Sequence, residues 1–156
     1  MFNLLRRYFC CFTTKKYIPI LEHTVPWKPP IKEGFVVKVY DADTITIASK
    51  LPYNKSPLYR WSVRINGIDA PELKSKNSDL AELALQGKEE LSEKILGKKV
   101  HLKNVSTEKY GRILANVFLN DIDIGAWLID QKFAYEYHGQ KKLTETEQSE
   151  LLLFNF

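Results

Sequence analysis

Cysteine is almost missing from this chain: Cys10 and Cys11 are the only two among 156 residues, and they are adjacent. Vicinal cysteines rarely bridge to each other, so neither a disulfide framework nor a thiolate zinc site follows. A long apolar run is missing as well. The opening MFNLLRRYFCCF is short and is interrupted by Arg6 and Arg7, which argues against a membrane span and against the clean apolar stretch of a secretory signal. Excess charge of one sign is confined to the start. Residues 1–30 hold Arg6, Arg7, Lys15, Lys16 and Lys28 against Glu22 alone, which accounts for the whole formal charge of +4. Residues 31–156 are therefore neutral, and any affinity for polyanions there must come from local arrangement. Repeats and low-complexity segments are absent, which sets aside solenoid and fibrous architectures.

A hydrophobic fraction of 44% is enough for a sizeable core. Pro26, Pro29 and Pro30 in HTVPWKPPIKEG oppose helix and mark a linker, so the chain divides into a tail and linker over 1–30 and a folded domain over 31–156. Wound as a helix, the opening sets Leu4, Leu5, Tyr8, Phe9 and Phe12 near one side with the arginines flanking. That pattern suits peripheral contact with an anionic membrane surface, with Cys10 and Cys11 as acylation candidates. A weakly docked tail without a membrane role is the alternative. The expected location is intracellular or membrane-associated rather than secreted.

Period-two patterning predicts strands in GFVVKVY, DTITIAS, WSVRING, KKVHLKNVS and RILANVFLND, with KLPYNKSPLYR as a long hairpin loop. Between the third and fourth strands, Leu80, Ala84, Gly87, Leu91 and Ile95 recur at steps of four and three and predict a helix. Asn77 or Ser78 caps its start and Gly97 suits its end. DIDIGAWLIDQKF predicts a short helix with Asp123 as cap, and Thr144 and Glu147 stand at capping-box spacing before a last helix. The fold class is α+β: a five-stranded OB-type β-barrel with a helix inserted after the third strand and two C-terminal helices.

Several segments carry chemistry-bearing residues. Asp41 and Asp43 in YDADTITI stand at i and i+2 and share a face if the segment is extended; a bend or bulge in which aspartate bonds local backbone is the plainer reading of this motif alone. In RINGIDAPE, Pro71 drives Ala70 toward extended backbone and leaves Asp69 and Glu72 on a stiff turn. A hard cation such as Ca²⁺ takes several oxygen ligands, which Asp43, Asp69 and a turn carbonyl supply in part, leaving Glu72 to orient or deprotonate water. A solvated acidic turn is the plain alternative. Arg64 lies within the third strand and Arg112 follows Gly111. Guanidiniums hold phosphate in bidentate fashion, so two arginines meeting these acids describe either an ion-pair network or a phosphoryl-transfer site. Tyr135 and Tyr137 in FAYEYHG face one side if extended, as base-stacking residues or as ordinary half-buried tyrosines.

Taken in order, DADT, RINGIDAPE, KYGR and FAYEY resemble the staphylococcal nuclease (thermonuclease) family over about Phe35 to Tyr137. The resemblance implies a Ca²⁺-dependent endonuclease that cleaves the 5′-oxygen–phosphorus bond of DNA and RNA, leaves 3′-phosphate ends and favours unpaired strands. It implies metal ligation by Asp43, Asp69 and the carbonyl of Ala70, a position where the family often has threonine. Asp41 would stand near the metal through water. It further implies water activation by Glu72, phosphate contacts from Arg64 and Arg112, and substrate contacts from Lys109, Tyr110, Tyr135 and Tyr137. Departures are a longer loop from Ser49 to Tyr59, a C-terminal helix stopping at Phe156 and a tail unlike a signal peptide. Two other functions remain compatible with these residues: a non-catalytic OB module binding single strands or a protein partner, and a membrane-tethered scaffold in which the acids and arginines are ion pairs.

Overall fold

The computed structural model describes residues 18–154. The tail segment carrying Cys10 and Cys11 lies outside them. Five strands form the barrel wall: β1 (Glu33–Asp41), β2 (Thr44–Lys50), β3 (Leu58–Ile65), β5 (Lys99–Thr107) and β6 (Ile113–Leu119). The sheet order is β3-β2-β1-β5-β6, continued by the two-residue strand β7 (Ile122–Asp123), and a parallel pairing of β3 with β6 closes it. The other neighbours are antiparallel. A second ribbon pairs β4 (Ile68–Asp69) with β8 (Tyr135–Glu136). The closing pairing covers only Val63–Ile65 of β3, so the first part of that strand is paired with β2 alone. The five-stranded barrel expected from the sequence is therefore present, although the hairpin loop is shorter than expected because Leu58, Tyr59 and Arg60 already belong to β3.

Helix α1 (Ser78–Ile95) follows β4 and covers one end of the barrel. Asn77 is its cap: the side-chain oxygen accepts from the backbone N–H groups of Asp79 and Leu80, satisfying donors that have no partner within the helix. Its apolar stripe, Leu80, Ala84, Gly87, Leu91 and Ile95, is wholly buried. Each large aliphatic side chain so buried contributes about 1.5–3 kcal/mol relative to exposure. Gly87 is a close-approach position, since a Cβ built there would lie 2.9 Å from Cβ of Phe133. Helix α2 (Ile124–Asp130) is capped by Asp123, and α3 (Glu145–Ser149) by a complete Thr144/Glu147 capping box. A π-helical turn over Glu150–Phe154 continues α3. None of the described helices is long and apolar enough to cross a membrane.

The interior draws on every wall strand: Val36, Val39, Ile45, Ile47, Val63, Ile65, Val100, Ala115 and Val117 meet Leu91, Ile95, Ile124 and Leu128 from the helices. One irregularity in β1 has a consequence at the rim. Its register against β2 shifts between Val36 and Lys38, where Val37 and Lys38 are both exposed. An extra residue of this kind reverses the inward–outward phase beyond it. Val39 is consequently buried, and a second register shift between Val39 and Asp41 leads the strand into its turn with Asp41 half-buried.

Candidate active site

Two hairpins and one parallel pairing bring the chemistry-bearing residues together. Asp41 ends β1, and Ala42 and Asp43 form the tight turn into β2. The two acids therefore meet across a turn, not along one strand face. The β2–β3 register pairs Thr44 with Arg64, and the N–H of Ile65 donates to the carbonyl of Asp43 at 2.8 Å, which sets Asp43 beside the Arg64 guanidinium. The parallel β3–β6 register pairs Val63 with Ile113, so Arg112 enters its strand next to the same rim. Asn66 and Gly67 then reverse the chain into β4. Gly67 has φ +84°, a region that favours glycine. Across the second ribbon, Asp69 pairs with Tyr135.

The result is a cavity of about 200 Å³ lined by Asp41, Asp43, Arg64, Ala70, Glu72, Arg112 and Lys142, with Tyr40 and Pro71 completing its wall. Arg64 is the hub. Its Nη1 forms an ion pair with Asp43 Oδ2 and its Nη2 with Asp69 Oδ1. Burial opposes the charge on Arg64, yet Asp43 and Asp69 more than offset it and hold the guanidinium above its ordinary pKa. Burial also works against ionised Asp69, which is only 1% exposed. Lys142, the Tyr135 hydroxyl and Arg64 nevertheless keep its carboxyl below the usual carboxylate range. The Tyr135 hydroxyl donates to Asp69 Oδ2 at 2.6 Å, and Thr44 Oγ1 donates to Asp43 Oδ1 at 2.7 Å. Arg112 is held in a fork by Glu108, Nε to Oε2 at 2.6 Å and Nη2 to Oε1 at 3.0 Å.

Asp41 differs from its neighbours. Burial, reinforced by the charge of Asp43, pushes its carboxyl up to about 7, and its Oδ1 is buried without a hydrogen-bond partner. An orphaned carboxylate oxygen beside a second carboxylate is the local signature of a place that favours a cation. Charge balance around the cavity agrees. Asp41, Asp43, Asp69 and Glu72 face Arg64 and Lys142, while Arg112 is matched by Glu108. Oxygen-only donors of this kind suit Ca²⁺ and not a soft metal. Among the described residues, no three or more His, Cys, Asp and Glu side chains are grouped as a ready metal cage. Backbone carbonyl and water oxygens would have to complete a shell.

The remaining sequence candidates lie around this cavity. Tyr137 lines an adjoining cavity of about 380 Å³ that shares Arg64 and also includes Asn66, Gly67, Glu108 and His138. Tyr135 is 4% exposed and reaches the site from beneath, through Asp69. Lys109 and Tyr110 lie on the turn before Arg112. The Lys109 ammonium sits 4.8 Å over the Tyr110 ring, and Tyr110 is 73% exposed. Sequence reasoning missed Glu108 and Lys142. Glu108 carried a signal in its four-residue spacing from Arg112, but Lys142 lies in HGQKKL, which matches no motif and reaches the cavity only through the tertiary fold.

A small closed barrel with carboxylates and guanidiniums converging at one rim defines the class, and comparison with known proteins identifies it. Residues 62–155 match the family described as staphylococcal nuclease homologue, and the chain belongs to that family. Among curated proteins, it is 29% identical over 142 residues to a probable endonuclease of Schizosaccharomyces pombe, covering 77% of this chain and 62% of that relative. It is 34% identical over 91 residues to a probable endonuclease of Candida glabrata, covering 56% of this chain and 35% of that relative. The chain thus spans less than two thirds of the length of either relative.

Proposed function

We propose that this chain is a Ca²⁺-dependent endonuclease that hydrolyses phosphodiester bonds in DNA and RNA, preferring unpaired strands. The observation that carries the reading is the convergence of Asp43, Arg64, Ala70, Glu72 and Arg112 on one cavity, with Asp69 bonded to Arg64 at its edge. Family membership and the names of the two relatives support the same reaction class.

Asp43, Asp69 and the Ala70 carbonyl would hold the ion, with Asp41 acting through water. When bound, the ion supplies charge neutralisation at the phosphate and a template for the attacking water. Glu72, largely exposed at the cavity mouth, accepts the proton as water attacks phosphorus. Arg64 and Arg112 donate to the phosphoryl oxygens, where charge builds in the pentacovalent state. The phosphorus–5′-oxygen bond then breaks. Arg112 donates a hydrogen bond to the departing oxygen, which takes a proton from solvent, and the products carry 3′-phosphate and 5′-hydroxyl ends. Tyr137, in the adjoining cavity, and the exposed Lys109 and Tyr110 contact neighbouring nucleotides, whereas Tyr135 supports Asp69. Stacking and backbone contacts of this kind suit single strands without strong sequence choice.

The test is a metal-swept digestion of single- and double-stranded DNA and RNA by the wild type, E72Q and R112A. Removing one transition-state donor costs about 10²-fold or more in turnover, and each variant should lose that much while still binding single-stranded DNA. Near-normal turnover in both variants would refute the assigned roles. Single-strand binding by the wild type without cleavage under any metal would establish a binding module instead.

A further inference from the structure

Lys142 lies in the segment between β8 and α3. Its ammonium reaches back to the rim, with Nζ 2.8 Å from Asp69 Oδ1 and 3.8 Å from Glu72 Oε1. The side chain is about half exposed, whereas that of Asp69 is 1% exposed. A flexible, half-solvated cation therefore rests on a buried carboxylate oxygen and spans to the exposed carboxylate across the cavity. Asp69 Oδ1 is shared, since Arg64 Nη2 also donates to it.

We propose that Lys142 is an internal competitor for the divalent-ion position, an ammonium that must leave Asp69 before the ion binds there. This inference rests on the reading of Asp69 as a metal ligand. Calcium contacts carboxylate oxygens at about 2.3–2.6 Å. An ion on Asp69 Oδ1 would thus stand within a few ångströms of an ammonium 2.8 Å from the same oxygen, with like charges facing each other in a partly desolvated cavity. Lys142 is free to move because its stem is half exposed and its segment is a loop. Arg64 is not, because Asp43 and Asp69 hold it from two sides within β3. The Lys142 ammonium also spans to Glu72. Its departure therefore releases the acid proposed to accept a proton from water at the same time as it uncovers the ligand. Ion occupancy and the availability of Glu72 are coupled through one side chain. A site that binds only after an internal group vacates it shows its intrinsic affinity reduced by the fraction of open molecules, so removing the competitor tightens binding.

Calcium titration calorimetry without nucleic acid tests this directly, on the wild type, K142M, K142R and D43N, each checked for folding by circular dichroism and thermal melting. K142M keeps the apolar stem and removes the charge, and it should bind Ca²⁺ about tenfold tighter. K142R retains a cation and should stay near the wild type. In the wild type, the Lys142 side-chain carbon resonances should shift as Ca²⁺ is added, and they should not shift in D43N. If the wild type binds Ca²⁺, D43N does not, and K142M binds no more tightly than wild type, the competitor role is overturned while the metal reading stands. If neither wild type nor K142M binds Ca²⁺ at millimolar concentration, both are overturned.

Discussion

Tyr135→Phe isolates the support beneath the site with little change in shape. The ring stays in place, and only the hydroxyl donating at 2.6 Å to Asp69 Oδ2 is lost. Asp69 is 1% exposed, so water has little access to replace the donor. A hydrogen bond to a charged group is worth about 1.5–3 kcal/mol. Asp69 Oδ1 keeps Arg64 and Lys142, which places the expected loss within that range and not above it. For a chain of this size, that lowers the melting temperature by about 5–10 °C. The measurement is urea unfolding with EDTA present, repeated across pH. The Asp69 carboxyl is held below its ordinary value in the folded state, by Lys142, Tyr135 and Arg64 acting against burial. Its stabilising contribution is therefore complete above the unfolded pKa of about 4 and fades as pH falls through the folded value. Tyr135 is raised, by burial and by Asp69, so its contribution is complete below about pH 10 and fades as pH rises above it. The gap between wild type and Y135F should be widest near neutrality and narrow toward both extremes. A gap under about 0.5 kcal/mol at pH 7 would show that the hydroxyl does not support Asp69.

Asp41→Asn should stabilise the EDTA-treated protein at pH 8. Burial and Asp43 raise this carboxyl to about 7, so the wild type loses stability as pH climbs from about 4 through that value. The variant should lack that slope, and parallel stability–pH curves would contradict the assignment. Gly87→Ala places a Cβ 2.9 Å from Cβ of Phe133. Overpacking of about 1–3 kcal/mol should outweigh a helix-propensity gain of about 1 kcal/mol, lowering the urea midpoint; a raised midpoint would mean the helix yields freely there. Asn77→Ala removes the cap of α1 and a 3.0 Å donor to Ser149 Oγ. It should cost about 1 kcal/mol, and an unchanged melting temperature would show that solvent caps the helix equally well.

Much of the fold was legible because its signals are local. The α1 stripe from Leu80 to Ile95 follows helical periodicity and is buried as patterned. The Asp123 cap and the Thr144/Glu147 capping box depend on residues three apart or closer, and both form as spaced. The loop after β2 was overestimated because Pro52 and Pro57 read as turn residues, while strand pairing with β2 begins at Leu58. Of the two readings of Asp41 and Asp43, the bend is the one that forms, since Asp41 ends β1 and Asp43 lies in the turn into β2. The two register shifts, one between Val36 and Lys38 and one between Val39 and Asp41, leave no mark in the sequence, yet they set how Asp41 meets the rim.

Composition and local patterning by themselves determined the class of fold, the capped starts of the helices and the residue types available for phosphate chemistry. Those depend on periodicity, caps and turn stiffness, which act over a few residues. Tertiary structure alone decided that Arg64 joins Asp43 to Asp69, that Arg112 reaches the same rim, and that Lys142 rests on Asp69. These meetings follow from strand register and barrel closure between segments distant in the chain. Electrostatic contact needs a few ångströms in space, a distance that a linear pattern does not encode.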